Sequence, residues 1–170
     1  MDDTTQSVLE ELRGIGQVYL ASPLRADHPN TKQARIREAT RAAGWLTRNG
    51  VTTLSPVAHS IALEAQAKRD GNPIGQGYED LWRGVDATLL DHSSALVILT
   101  LPGWEESKGV SDEIHRALDN KTPIFLANQT PSEGEPYELL RAPYSTDRDE
   151  TYVEIQGELF AQNREQQEVQ

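Results

Sequence analysis

Two hydrophobic periods alternate along this chain, and that alternation limits the folds open to it more than any other feature. Short runs at 17–21, 51–54, 95–100 and 122–127 read as strands, the first of them buried and that at 95–100 the strongest. Between them, apolar residues recur about every 3.6 positions, which predicts helices over 7–13, 32–49, 60–68, 78–91 and 109–119. Ala34, Ile36, Ala39, Ala42, Ala43 and Leu46 mark the inner side of the second helix, and Leu81, Trp82, Val85, Leu89 and Leu90 that of the fourth. Thr31 is the expected cap of the second helix, Asn49-Gly50 its stop, and Ser55-Pro56 the end of the second strand. Strands alternating with helices argue for an α/β domain. Its sheet is expected to be parallel, of four to five strands, with right-handed crossovers and helices on both faces. Residues 70–77 read as a flexible loop and 128–144, rich in Pro and Glu, as mostly loop. Residues 151–160 read as strand or helix. The expected domain is 1–160, followed by a polar, frayed tail at 161–170.

Composition narrows the partners. The chain has 170 residues, the usual size of one domain, and a net charge of −11. Such a surface repels polyphosphate backbones and anionic membranes, so neither nucleic acid nor membrane is an expected partner. A single nucleotide stays open, because one local Arg can hold one phosphate. There is no cysteine, which excludes disulfides and thiolate metal sites and suits a reducing, cytoplasmic location. The N-terminal stretch MDDTTQSVLEELRG lacks the pattern of a secretory signal, and no apolar run approaches the ~20 residues that span a bilayer.

In open parallel α/β sheets, ligands bind beyond the carboxyl ends of the strands. Three segments are expected there: 19–25, 55–60 and 101–113. The third is the richest. Ser107-Lys108-Gly109 leads into a helix that carries Asp112 and Glu113, and free N–H groups at a helix start attract anions. Ser is also an ordinary N-cap, and acids are common in first turns. Asp86, beside Val85 and Leu89-Leu90, is either a solvated neighbour of an apolar face or a site residue. His59 reads as a loop hydrogen-bonder, and Tyr19, Trp82 and Trp104 as packing residues before base-stacking ones. No His/Asp/Glu cluster has metal spacing, so no metal is expected. GxGxxG, P-loop and G-x-S-x-G patterns are all missing.

Taken together, the segments resemble the nucleoside 2-deoxyribosyltransferase-like superfamily, over roughly 18–127. That group includes the transferases and the 2'-deoxynucleoside 5'-phosphate N-hydrolases. The chain is similar to an uncharacterised branch with strand one as YLASP and a later GW-x-x-S-x-G-V-x-x-E. The implied fold is flavodoxin/Rossmann-like. The superfamily's D/S-x-G-x-x-x-E pattern reads here Ser107-Lys108-Gly109-Val110-Ser111-Asp112-Glu113. By resemblance, Glu113 is the nucleophile or the carboxylate that stabilises the transition state, and Asp86 handles a proton. The hydrolase motif I-Y-F-x-G-S-I-R reads here Val18-Tyr19-Leu20-Ala21-Ser22-Pro23-Leu24-Arg25. Tyr19 and Arg25 match, Pro23 stands where the hydrolases carry Ser, and Ser22 lies one place earlier. The transferases carry an Asp, and the hydrolases a Ser, at the position held here by Ser107. A hydroxyl can donate to a phosphate that a carboxylate would repel.

The resemblance therefore implies hydrolysis of the N-glycosidic bond of a (deoxy)nucleoside 5'-monophosphate, without a cofactor. The alternatives are a deoxyribosyltransferase and a non-catalytic nucleotide-binding module. Cleavage builds positive charge on the sugar, which a carboxylate under C1' offsets or captures, while the leaving base needs a proton. The implied catalytic residues are Glu113, Asp86 and Tyr19; the implied substrate contacts are Ser22, Arg25, His59, Trp104, Ser107 and Gly109. The superfamily also implies a homodimer or larger homo-oligomer, with Ser132 or Tyr144 as candidate contributions to a neighbour's site.

Overall fold

A computed structural model describes residues 2–74, 79–130 and 136–142. Its elements run α1 (Asp3–Ile15), β1 (Gln17–Ala21), α2 (Pro29–Arg48), β2 (Thr52–Leu54) and α3 (Pro56–Arg69). They continue with α4 (Glu79–Asp91), β3 (Ala95–Leu99), α5 (Lys108–Asp119), β4 (Ile124–Gln129) and β5 (Tyr137–Arg141). The strands form one sheet in the order β2-β1-β3-β4-β5. Neighbours among the first four are parallel, and β5 runs antiparallel to β4. This is the α/β architecture expected from the alternation, of flavodoxin-like order.

The two-residue period of the strands divides the core in two. Val18, Leu20, Val97, Leu99, Phe125 and Leu139 pack with Val8, Leu9 and Leu12 of α1 and Ala42, Trp45 and Leu46 of α2. Tyr19, Ala21, Leu96, Ile98 and Leu126 pack with Leu90 of α4 and Val110, Ile114 and Leu118 of α5. Helices thus cover both faces. The chain leaves β1 toward β2 on one side and returns to β3 on the other. The carboxyl ends of β1 and β3 therefore flank the point where strand order reverses, the usual ligand crevice of such sheets.

The helix starts differ from those expected. His28 caps α2, its side chain accepting from Asn30 N at 3.2 Å, and Pro29 takes the first turn. Ser55 caps α3, accepting from Ala58 N at 3.4 Å, and Pro56 takes the first turn. Proline has no N–H to leave unpaired there and a φ already set for a helix, so both prolines start helices. In consequence His59 lies on α3 and not in a loop. α1 begins at Asp3 and runs through Gly14 to Gly16, whose φ is +115°. A Cβ on Gly16 would lie 2.9 Å from Ser94 Oγ, which would have to turn away, so the positive φ is the stronger demand for glycine.

The stretch expected to be mostly loop contains β5. Tyr137 and Leu139 alternate inward, and Tyr137 stacks edge-on against Trp45 with ring centres 5.4 Å apart. The outer edge of β5 is covered by α1: Thr5 Oγ1 accepts from Leu139 N at 3.1 Å while donating to Asp2 Oδ2 at 3.0 Å. The expectations for 151–160, for the tail at 161–170, and for Ser132 and Tyr144 lie outside the described residues, as does part of the loop at 70–77. Among the described residues no helix is long and apolar enough to cross a membrane.

Candidate active site

Tyr19 is the third residue of β1, so its side chain projects from the sheet toward α4 and α5, and it is 0% exposed. Glu113 sits in the second turn of α5, on the helix that follows β3. The Tyr19 hydroxyl donates to Glu113 Oε1 at 2.6 Å. Two residues distant in sequence thus meet on the face of the sheet beside the reversal point.

Their electrostatics set them apart from surface acids. Burial pushes the Glu113 carboxyl up to about 8; the Tyr19 hydrogen bond pulls against this, while the charges of Asp86 and Asp112 add to it. Burial likewise raises Asp86 to about 6, with the nearby charge of His59 opposing. The Tyr19 hydroxyl is held far above its ordinary range, first by burial and then by the negative charges of Glu113 and Asp86, so it stays a donor. Tyr19, Glu113, Asp86 and His59 therefore form one interacting group, built from β1, α5, α4 and α3. A pair of carboxyl groups with separated affinities, one held by a fixed donor, can keep one proton near neutrality and place it on either side of a reacting bond.

The other expected residues lie around this group in different ways. Ser22 directly follows β1; its Oγ is buried and has no hydrogen-bond partner among the described residues. Arg25 is exposed in the loop after β1. Ser107 caps α5, accepting from Val110 N at 3.5 Å. A Cβ added to Gly109 would meet nothing within 4 Å, so no protein contact demands glycine there. Trp104 is 3% exposed and packs in the second core cluster beside Tyr19 and Val110. Its ring is covered by protein, which makes it a packing residue beneath the site and not a free stacking surface. An apolar concavity of about 410 Å³ along α4, lined by Leu81, Gly84, Val85, Thr88 and Leu89, contains none of the carboxyl groups. Among the described residues no three His, Asp or Glu side chains gather as a metal ion would need.

Arg35 carries no signature in the sequence. From α2, its guanidinium donates to the carbonyl oxygen of Arg25 and, at 2.6 Å, to that of Pro102. Thr100, just past β3, is likewise unmarked and donates to Asn128 Oδ1 at 2.7 Å. No local pattern marks either one, since Arg within an amphipathic helix usually faces water.

A family model described as a domain of unknown function, DUF1937, matches residues 16–129, a span that includes Tyr19, Asp86 and Glu113. No curated protein matches the chain. Among solved structures, one that is similar is a 2-deoxyribosyltransferase from the psychrotolerant bacterium Bacillus psychrosaccharolyticus. Its sequence identity is 15% and its TM-score 0.46, over 81% of this chain and 90% of that one. The chain belongs to the DUF1937 family.

Proposed function

We propose that this DUF1937 protein cleaves the N-glycosidic bond of a (deoxy)nucleoside 5'-monophosphate. The observation that carries the reading is the hydrogen bond from Tyr19 to a buried Glu113 whose affinity for protons is coupled to that of Asp86. A carboxyl group taken from water at such cost, and then oriented by a buried tyrosine, is poorly explained by packing alone.

In the proposed reaction the Glu113 carboxylate lies under C1' of the sugar. As the bond to the base breaks, it offsets the positive charge on the sugar or forms a glycosyl ester. Asp86 gives or routes the proton that the leaving nitrogen needs. Tyr19 holds Glu113 in place and keeps its own proton. Ser22, Arg25 and Ser107 are the proposed contacts to the 5'-phosphate, and the unpartnered Ser22 hydroxyl supports this, because a ligand oxygen would satisfy it. Water then takes the sugar. The resemblance in the motifs around Tyr19 and Glu113 supports the same reading, and a second base in place of water would make the site a transferase.

Product analysis tests this. The protein is incubated with ribo- and deoxynucleosides and their 5'-monophosphates, with and without a second free base, and released base is followed by chromatography. Release from a monophosphate without an acceptor is the expected result. Release that needs the second base would assign a transferase. Binding without release from any substrate would assign a nucleotide-binding module.

A further inference from the structure

We infer that Arg35 is a positioning residue that fixes the two strand-end loops of the site relative to one another. Arg35 stands in the second turn of α2, outside the catalytic group. One arm of its guanidinium bonds to the carbonyl of Arg25, in the loop after β1; the other bonds to the carbonyl of Pro102, in the loop after β3. These loops leave the two strands on either side of the reversal point, and they carry Ser22 and Arg25 on one side and Ser107 on the other. One planar side chain therefore sets the gap across which the substrate would lie.

The residue after Pro102 fits the same contact. Gly103 follows Pro102 with φ +82°, and a Cβ there would lie 2.7 Å from Arg35 Nη2. A side chain at 103 would thus displace the guanidinium from where it stands, and the positive φ favours glycine there in any case. The fork geometry matters as well. Two donors at fixed angles in one plane can reach two carbonyls on different loops, whereas a lysine ammonium on its flexible stem would hold one of them well and the other poorly.

Arg35 touches none of the residues assigned to bond breaking, so its effect runs through the loops. Loosening them should weaken substrate binding and leave the chemistry of Tyr19, Asp86 and Glu113 in place. This kinetic part rests on the proposed function; the structural part does not.

The test compares the full-length protein with Arg35→Lys and Arg35→Met. Amide hydrogen exchange in residues 22–28 and 100–107 is measured without ligand. Steady-state kinetics with deoxynucleoside 5'-monophosphates follow. Arg35→Met is expected to speed exchange several-fold in both segments while β1 and β3 keep their protection. It should raise KM about 10-fold, with kcat changed less than about twofold and both pH limbs unmoved, since small misplacements of binding groups have effects of this order. Arg35→Lys should fall between the two. Unchanged exchange, or faster exchange in one segment alone, would overturn the bridge, as would a fall in kcat with KM unchanged. If the unaltered protein cleaves no nucleotide, the proposed function fails, and the exchange measurement still decides the role of Arg35.

Discussion

The Tyr19 hydroxyl bonds to Glu113 Oε1 at 2.6 Å across 94 residues of chain, and among the described residues it is the contact that opposes the burial of that carboxyl group. A hydrogen bond to a charged group contributes about 1.5–3 kcal/mol. Tyr19→Phe should therefore lower kcat/KM by roughly 10- to 100-fold. Because the bond pulls the Glu113 affinity down, its loss should also move the alkaline limb of the pH–rate profile upward. A rate loss with no shift of that limb would separate Tyr19 from Glu113.

The pH profile of the unaltered protein follows from the pair. Asp86 is raised to about 6 and Glu113 to about 8, so between those values the pair holds one proton, which rests on Glu113 in the unliganded protein. The proposed reaction needs that count with the proton moved from Glu113 to Asp86, a shift that positive charge developing at C1' over Glu113 would favour: one carboxylate for the sugar, one proton for the base. A plot of kcat/KM against pH should be bell-shaped, falling below about 6 and above about 8. The limbs belong to the pair and not to either residue.

Stability should carry the same signature with a definite sign. Both groups bind protons more tightly in the folded chain, Asp86 rising from 3.8 to about 6 and Glu113 from 4.5 to about 8. Over that window the unfolded chain binds fewer protons, so their contribution is fully present below the unfolded values and is lost as pH rises through about 6 and then about 8. Glu113→Gln removes the larger part. Its melting temperature should exceed that of the parent at pH 8.5 by more than it does at pH 5. Equal differences at the two pH values would show that Glu113 ionises as easily folded as unfolded.

Much of this fold is legible in the residues, and the illegible parts have physical causes. The strands at 18–21 and 95–99 are runs of apolar and aromatic residues that only a sheet covered on both faces can bury, and the structure buries them so. β5 escaped because YELLR is short and edge-placed, and its pairing comes from β4 and Thr5, which are far away in sequence. The starts of α2 and α3 escaped because Pro29 and Pro56 read as breakers when their position in the helix is unknown. Tyr19, Asp86 and Glu113 are each ordinary alone and are singled out by the resemblance, and residue types cannot say which hydroxyl meets which carboxylate. Arg35 has no local signature at all, because its partners are backbone carbonyls on two other loops.

The orphan hydroxyl of Ser22 separates ligand binding from folding. A buried hydroxyl without a partner among the described residues contributes nothing favourable to that part of the unliganded fold, so Ser22→Ala should leave the melting temperature unchanged or slightly raised. If Ser22 contacts the substrate, KM for the monophosphate should rise by roughly 5- to 10-fold, the worth of one ordinary hydrogen bond. A lowered melting temperature with unchanged KM would instead make the hydroxyl part of the fold.

The most direct test of the central claim is the release of free base from a panel of deoxynucleoside 5'-monophosphates by the protein and by Glu113→Gln, measured side by side at a pH between about 6 and about 8. The parent protein should release base and the variant none above background, with the variant still folded. Equal release by both would contradict the assignment of Glu113, and no release from any member of the panel by the parent would contradict the proposed reaction itself.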